Sequence, residues 1–200
     1  MISVVQIVNT VFQSNTYIVD HKDYTQVWLI DCGDFEPVVH WLNREQKTIK
    51  GIFLTHTHFD HIYGLDKMVE AFPDARIYTS AEGKNGLGDI KLNFSFFHGQ
   101  HIVFKSTNIE IITEGSYVEL YPGIELKTWA TPGHDWSCLT FSAGNYLFTG
   151  DSWIPGLKVV TTFPKSNKTA AAESLIKIKS LISKDTVICP GHGKMKLDNE

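Results

Sequence analysis

The sequence predicts an α/β fold with two strand-rich halves, on three observations. Short runs of β-branched and aromatic residues, bounded by polar turn material, recur along both halves. Stretches with apolar residues at helical spacing follow strands in the first half, and another lies near the end. No repeat, low-complexity tract or linker interrupts the 200 residues, so residues 1–200 are expected to form one domain.

The elements are read in order. Ile2 to Val8, Thr16 to Val19 and Val27 to Ile30 are three strands of an antiparallel opening. A helix follows Asp31-Cys32-Gly33, with Pro37 in its first turn and Val38, Trp41 and Leu42 on one face. Ile49 to Leu54 is a further apolar strand, and Leu65, Met68, Val69 and Phe72 trace an amphipathic helix that Pro73-Asp74 closes. Arg76 to Thr79 is a short strand, whereas Gly83 to Gly99 has no clear period and is expected to be a partly irregular cover loop. The second half carries strands at Ile109 to Ile112, Ile124 to Ala130, Leu139 to Phe141 and Tyr146 to Phe148, with Gly144-Asn145 as a hairpin turn. Thr169, as N-cap, opens a helix to Ile182 with Leu175, Ile178, Leu181 and Ile182 on one face. Val187 to Cys189 is the last buried strand.

Composition narrows the function. Hydrophobic residues make up 42% and charged residues 20%, enough to bury a sizeable core. The net charge of -4 offers no global attraction for nucleic acid, which is not an expected partner. No run approaches the roughly 20 apolar residues of a membrane span, so no membrane partner is expected. The N-terminus lacks the basic start and apolar core of a signal peptide, and the three scattered cysteines, Cys32, Cys138 and Cys189, read as reduced thiols. A cytoplasmic location is expected, while oligomeric state stays open, a dimer included.

The chemistry lies in the histidines. Thr55-His56-Thr57-His58-Phe59-Asp60-His61 puts three imidazoles and a carboxylate on a loop directly after a buried strand. Imidazole nitrogen and carboxylate oxygen are the usual non-thiolate zinc donors, and two adjacent metals are the natural reading of such density. One loop cannot fill two coordination spheres. Further candidates end other strands: His134 in Thr131-Pro132-Gly133-His134, Asp151 after Gly150, and His192 in Gly191-His192-Gly193.

These motifs, in this order from Thr55 to Gly193, resemble the metallo-β-lactamase superfamily, and Asn15-Thr16-Tyr17 and Ile30-Asp31-Cys32-Gly33 resemble its opening strands. The resemblance implies a four-layer αββα sandwich: two mixed β-sheets face to face, helices on the outer faces and a site at one edge. It implies one metal held by His56, His58 and His134, a second held by Asp60, His61 and His192, and Asp151 bridging them. The cofactors are then two zinc ions, with iron or manganese compatible. A hydroxide between two such metals is available at neutral pH, and Asp60 is placed to orient it and to pass its proton to the leaving group.

His21, His40, His98 and His101 stand alone and are read as structural. Asp31 is either a hydrogen-bond acceptor for the metal loop or a turn residue. Phe94, Phe96 and Phe97 are assigned to the core, while Tyr63, Trp136, Trp153 and Lys165 flank ligand positions and are the candidates to line a pocket, Lys165 as an anion-attracting group. Asp135-Trp136 follows His134 where the resembled family often has small residues.

The leading expectation is hydrolysis of a small ester, thioester or lactone, similar to the glyoxalase II-like branch. That branch carries a further helical region for glutathione, and this sequence stops at Glu200, so glutathione thioesters are not singled out. The alternative is a phosphodiesterase acting on a cyclic nucleotide or nucleic acid, followed by a persulfide dioxygenase with one iron. A binding module that has lost its site is disfavoured because every ligand position is filled.

Overall fold

The structure, a computed structural model, describes residues 1–197. Its first sheet contains β1 (Ile2–Val8), β2 (Asn15–His21), β3 (Gln26–Ile30), β4 (Thr48–Phe53), β5 (Arg76–Thr79) and β6 (Ile109–Ile111), hydrogen-bonded in that order. The first three strands pair antiparallel and the remainder parallel. The change follows from the connections: a short turn joins β2 to β3, whereas α1 (Phe35–Glu45) and α2 (Leu65–Ala71) carry the chain back for parallel pairing. The second sheet runs β12 (Lys196–Leu197), β11 (Val187–Pro190), β10 (Tyr146–Gly150), β9 (Leu139–Ala143), β8 (Ile124–Ala130), β7 (Tyr117–Tyr121), all antiparallel except β10 with β11. There α4 (Lys168–Ser180) makes the crossover.

Strand alternation assigns the layers. On β3, Val27 and Leu29 meet Val38, Trp41 and Leu42 of α1 and Leu65 and Met68 of α2. The intervening Trp28 and Ile30 face the other way, into a core shared with Leu126, Phe141 and Phe148 of the second sheet. Behind that sheet, Leu147 and Ile188 pack on Ile178 of α4. Helix, sheet, sheet, helix is therefore the observed order, the αββα sandwich of two mixed sheets that the resemblance implies.

Four details depart from the sequence reading. Ala81–Leu87 is a helix, α3, inside the expected irregular loop. Its two buried glycines obscure any helical pattern, and both are required because a Cβ at Gly83 or Gly86 would collide with Thr79 or Thr57. Ser80 caps it, accepting from Gly83 N at 3.0 Å. The omitted β7 is a half-exposed edge strand paired with β8 across a turn at Gly123, and β12 is only two residues long. The cap of α4 is Asn167, whose side chain accepts from Ala170 N at 3.0 Å, and not Thr169.

Candidate metal centre and cleft

All seven sequence-selected residues meet at one edge of the sandwich. His56, His58, Asp60 and His61 come from the loop after β4, a single 3-10 turn spanning Phe59–His61. His134 follows β8, Asp151 follows β10 and His192 follows β11. Each sheet thus contributes ligand candidates from the ends of its strands. Donor atoms lie within 4.8 Å of one another in three groups: His56, His58 and His134; Asp60, His61 and His192; and His56, His61 and Asp151. Asp151 adjoins the first two groups, its Oδ2 lying 3.5 Å from His134 Nε2 and 3.4 Å from His192 Nε2.

The surroundings fix how each ring is turned. His61 Nδ1 donates to buried Asp31 at 2.9 Å, which makes Asp31 the hydrogen-bond acceptor of the metal loop. Asp31 also accepts from Thr55 N and Thr55 Oγ1. With that hydroxyl proton committed, Thr55 Oγ1 is the acceptor for His56 Nδ1 at 3.1 Å. His134 Nδ1 meets the Val160 carbonyl at 3.0 Å and His192 Nδ1 the Phe12 carbonyl at 3.1 Å. Carbonyls only accept, so Nδ1 carries the hydrogen and all four rings present Nε2 to the centre. His58 is reversed: Nε2 faces Asp135 Oδ2 at 3.6 Å, and Nδ1 points inward. Asp135 has a use that sequence reasoning missed, because nothing in the chain order announces that it folds back on His58.

These donors fit a pair of cations. His58 Nδ1 and His134 Nε2 face each other at 3.0 Å, and two lone pairs that close repel unless a proton or cation lies between them. His56 Nε2, His61 Nε2 and Asp151 Oδ1 are buried without a hydrogen-bond partner, an arrangement that costs free energy unless an ion satisfies it. The carboxylates call for positive charge at the centre, which protons on His61 and His192 supply in the metal-free chain. Burial opposes a proton on His61 and on His192, yet Asp60, Asp31 and Asp151 raise the first to about 9, and Asp151 and Asp60 raise the second to about 10. Burial also pushes against charge on Asp60 and Asp151, but the neighbouring imidazoles hold both carboxyls below the usual range. Burial keeps His56 and His134 neutral, as a ligand must be.

A cleft of about 550 Å³ opens over this cluster, with His58, Asp60, His134, Asp151 and His192 in its lining. Its other walls correct the sequence reading. Phe94 and Phe97 line it instead of joining the core, and so does His98, which stacks on Phe59 at 4.3 Å between ring centroids. The four flanking candidates do not. Tyr63 donates to Asp34 at 2.6 Å, Lys165 stands over the Trp136 ring at 4.4 Å, and Trp136 and Trp153 border other surface hollows. The irregular Gly88 to Gly99 segment and the long stretch after Asp151 turn these side chains by contacts remote in sequence. No helix among the described residues is long and apolar enough to cross a membrane.

The comparisons with known proteins agree with this geometry. The family model for the metallo-beta-lactamase superfamily matches residues 9–192, and the chain belongs to that superfamily. Among curated proteins it is similar to the hydroxyacylglutathione hydrolases of Salmonella typhi, 27% identical over 181 residues, and Hydrogenovibrio crunogenus, 27% identical over 187 residues. These alignments cover 90% and 92% of this chain but 62% and 60% of the relatives, so the chain spans about three fifths of their length. Among solved structures it is similar to the BLEG-1 B3 metallo-beta-lactamase, at 27% identity and a TM-score of 0.89 over 98% of this chain and 94% of that one. It is also similar to TTHA1623, solved in a di-iron-bound form, at 25% identity and a TM-score of 0.83 over 96% and 94%.

Proposed function

We propose that the chain is a single-domain, metal-dependent hydrolase that cleaves a small ester, thioester or lactone. The observation that carries this reading is the set of five imidazoles turned toward two carboxylates: four have their outward nitrogens hydrogen-bonded to Asp31, Thr55, Val160 and Phe12, and the fifth, His58, turns its outward nitrogen toward Asp135 at 3.6 Å. His56, His58 and His134 would hold one divalent ion, Asp60, His61 and His192 another, and Asp151 both. Zinc suits this nitrogen and oxygen set, and iron and manganese are compatible with it. Bound there, the ions supply Lewis acidity toward a carbonyl oxygen and make hydroxide available near neutral pH.

The chain's residues supply the remainder. Asp60 Oδ2, 3.5 Å from His61 Nε2 and 3.4 Å from His192 Nε2, borders the cleft, where it orients the attacking oxygen and passes a proton to the leaving alcohol or thiol. Hydrogen bonds at the far nitrogen fix the orientation of four of the five rings. A small-molecule substrate suits the cleft volume. The three buried, unpaired cysteines are those of a protein working in a reducing compartment, the cytoplasm.

The test is metal analysis of the purified protein followed by turnover of a panel of esters, thioesters, lactones and phosphodiesters. About two divalent ions per chain and turnover confined to acyl substrates are expected. One iron per chain, or turnover of phosphodiesters alone, would overturn the assignment.

A further inference from the structure

We infer that the group this cleft holds beside the reactive cluster is an uncharged, apolar acyl chain, an inference that rests on the hydrolase reading above and names its substrate class. Immediately next to the metal-ligand candidates the lining turns aromatic. The Phe94 ring lies 4.6 Å from His58, and Phe163 lies 5.5 Å from His58 and 5.6 Å from His134. Phe94 and Phe163 contact each other at 5.1 Å, and Phe97 extends the ring surface outward at 6.1 Å from Phe94. The segment after Asp151 adds Ile154, Leu157 and Val160. A substrate carbonyl placed at the cluster therefore has its substituent against hydrocarbon at once.

Charge makes the same point by what is missing. Among the described residues no lysine or arginine lines this cleft. Lys158 borders two adjoining hollows and not this cleft, and Lys165 is engaged on Trp136. A carboxylate or phosphate carried away from the scissile bond would lose its hydration and meet no compensating cation, at a large cost. The mouth, in contrast, keeps Phe97 and Leu157 64% exposed. Large apolar side chains held in water around a concave site mark the place where an apolar group is received.

The reaction is ordinary hydrolysis. The oxygen of water bonds to the acyl carbon, the acyl–oxygen or acyl–sulfur bond breaks with its electron pair on the leaving atom, and a proton passes to that atom. A fatty carboxylate and an alcohol or thiol result, the second proton of the water passing to solvent.

The test compares straight-chain acyl esters of one alcohol, two to ten carbons long, with the succinyl ester of that alcohol on the zinc-loaded protein. In parallel, calorimetry measures binding of 1-alkanols from butanol to decanol to the metal-free chain. Both kcat/KM and alkanol affinity should rise about twofold to fourfold per methylene, as burial of each methylene requires, and the succinyl ester should be a poor substrate. Phe163→Ala and Leu157→Ala, at partly exposed positions, should flatten both slopes, and Leu157→Lys should improve the succinyl ester. Ester turnover with no dependence on chain length, flat alkanol affinity, or a preference for the succinyl ester would overturn the inference and leave the hydrolase reading standing. Alkanol affinity that climbs with length while no ester or thioester turns over would retain the apolar pocket and remove the hydrolase.

Discussion

Asp31 and Asp135 show how single residues prepare the centre. Asp31 lies at the end of β3, buried, and accepts from Thr55 N, Thr55 Oγ1 and His61 Nδ1. Asp31→Ala leaves those donors unsatisfied and is expected to cost about 3 kcal/mol or more of stability, read by urea denaturation of the metal-free chain. Asp135 instead faces the outward nitrogen of His58 at 3.6 Å and accepts from Ser137 N and Ser137 Oγ, so Asp135→Ala should weaken metal binding by about 10- to 100-fold, read by competition with a chromogenic chelator, and should also cost about 1–3 kcal/mol of stability. Asp34 carries a pH prediction. Burial works against its charge, but Tyr63 OH, Thr10 N and Thr10 Oγ1 all donate to it, and its carboxyl is held below the usual range. A depressed folded-state value means that the stabilisation is complete above the unfolded value of about 3.9 and is lost as pH falls through the folded one. The side chain is partly exposed, so the gap between wild type and Asp34→Ala at pH 7 should be about 1 kcal/mol at most. That gap should hold down to about pH 4 and narrow below it, in thermal melts of the metal-free chain.

Elements were legible where a pattern is local. Ile2–Val8, Ile124–Ala130 and the amphipathic faces of α1 and α2 depend on neighbours within one strand or one or two helical turns, and the structure has them where the sequence predicts them. The ligand loop was legible for the same reason, with four donors inside six positions. The cleft walls were not. Phe94 reaches His58 only because its backbone is left-handed, at φ 63°, and Phe163 arrives from a segment about a hundred residues further on. No period in the sequence encodes either placement. Gly133 shows the element scale in one residue. Its φ of 145° and the immediate approach of the Ala171 backbone at the start of α4 leave no room for a side chain. Asn167 N donates to the Gly133 carbonyl at 2.8 Å, and Ser174 Oγ donates to the Pro132 carbonyl at 2.7 Å, so the loop and helix are mutually seated. Gly133→Ala should push α4 away, costing about 1–3 kcal/mol, and should move His134. Guanidinium melts and metal stoichiometry together read the change, with loss of stability accompanied by loss of the ion that the proposed function assigns to His134.

At the scale of the whole molecule, the centre joins two sheets that otherwise meet through side-chain packing. The first sheet supplies His56, His58, Asp60 and His61, and the second supplies His134, Asp151 and His192. Hydrogen bonds reinforce the same seam: Asn15 N donates to the Gly191 carbonyl at 2.8 Å and Tyr17 OH to the Pro190 carbonyl at 2.7 Å. Neither sheet alone can complete a coordination sphere, so the unfolded chain has no comparable site and metal binding must stabilise the folded state by mass action. At a free metal concentration a hundredfold above the dissociation constant, the gain is about 2.7 kcal/mol, or roughly 5–11 °C in melting temperature for a chain of this size. Adding a chelator should remove that increment and adding zinc should restore it. The decisive comparison is between sheets: His58→Ala and His134→Ala should each abolish the part of the shift that belongs to the ion they are proposed to share, and the double variant should lose no more than either single one. Additive losses in the double variant would mean that the two histidines do not serve one ion, and the division of ligands between the sheets would have to be redrawn.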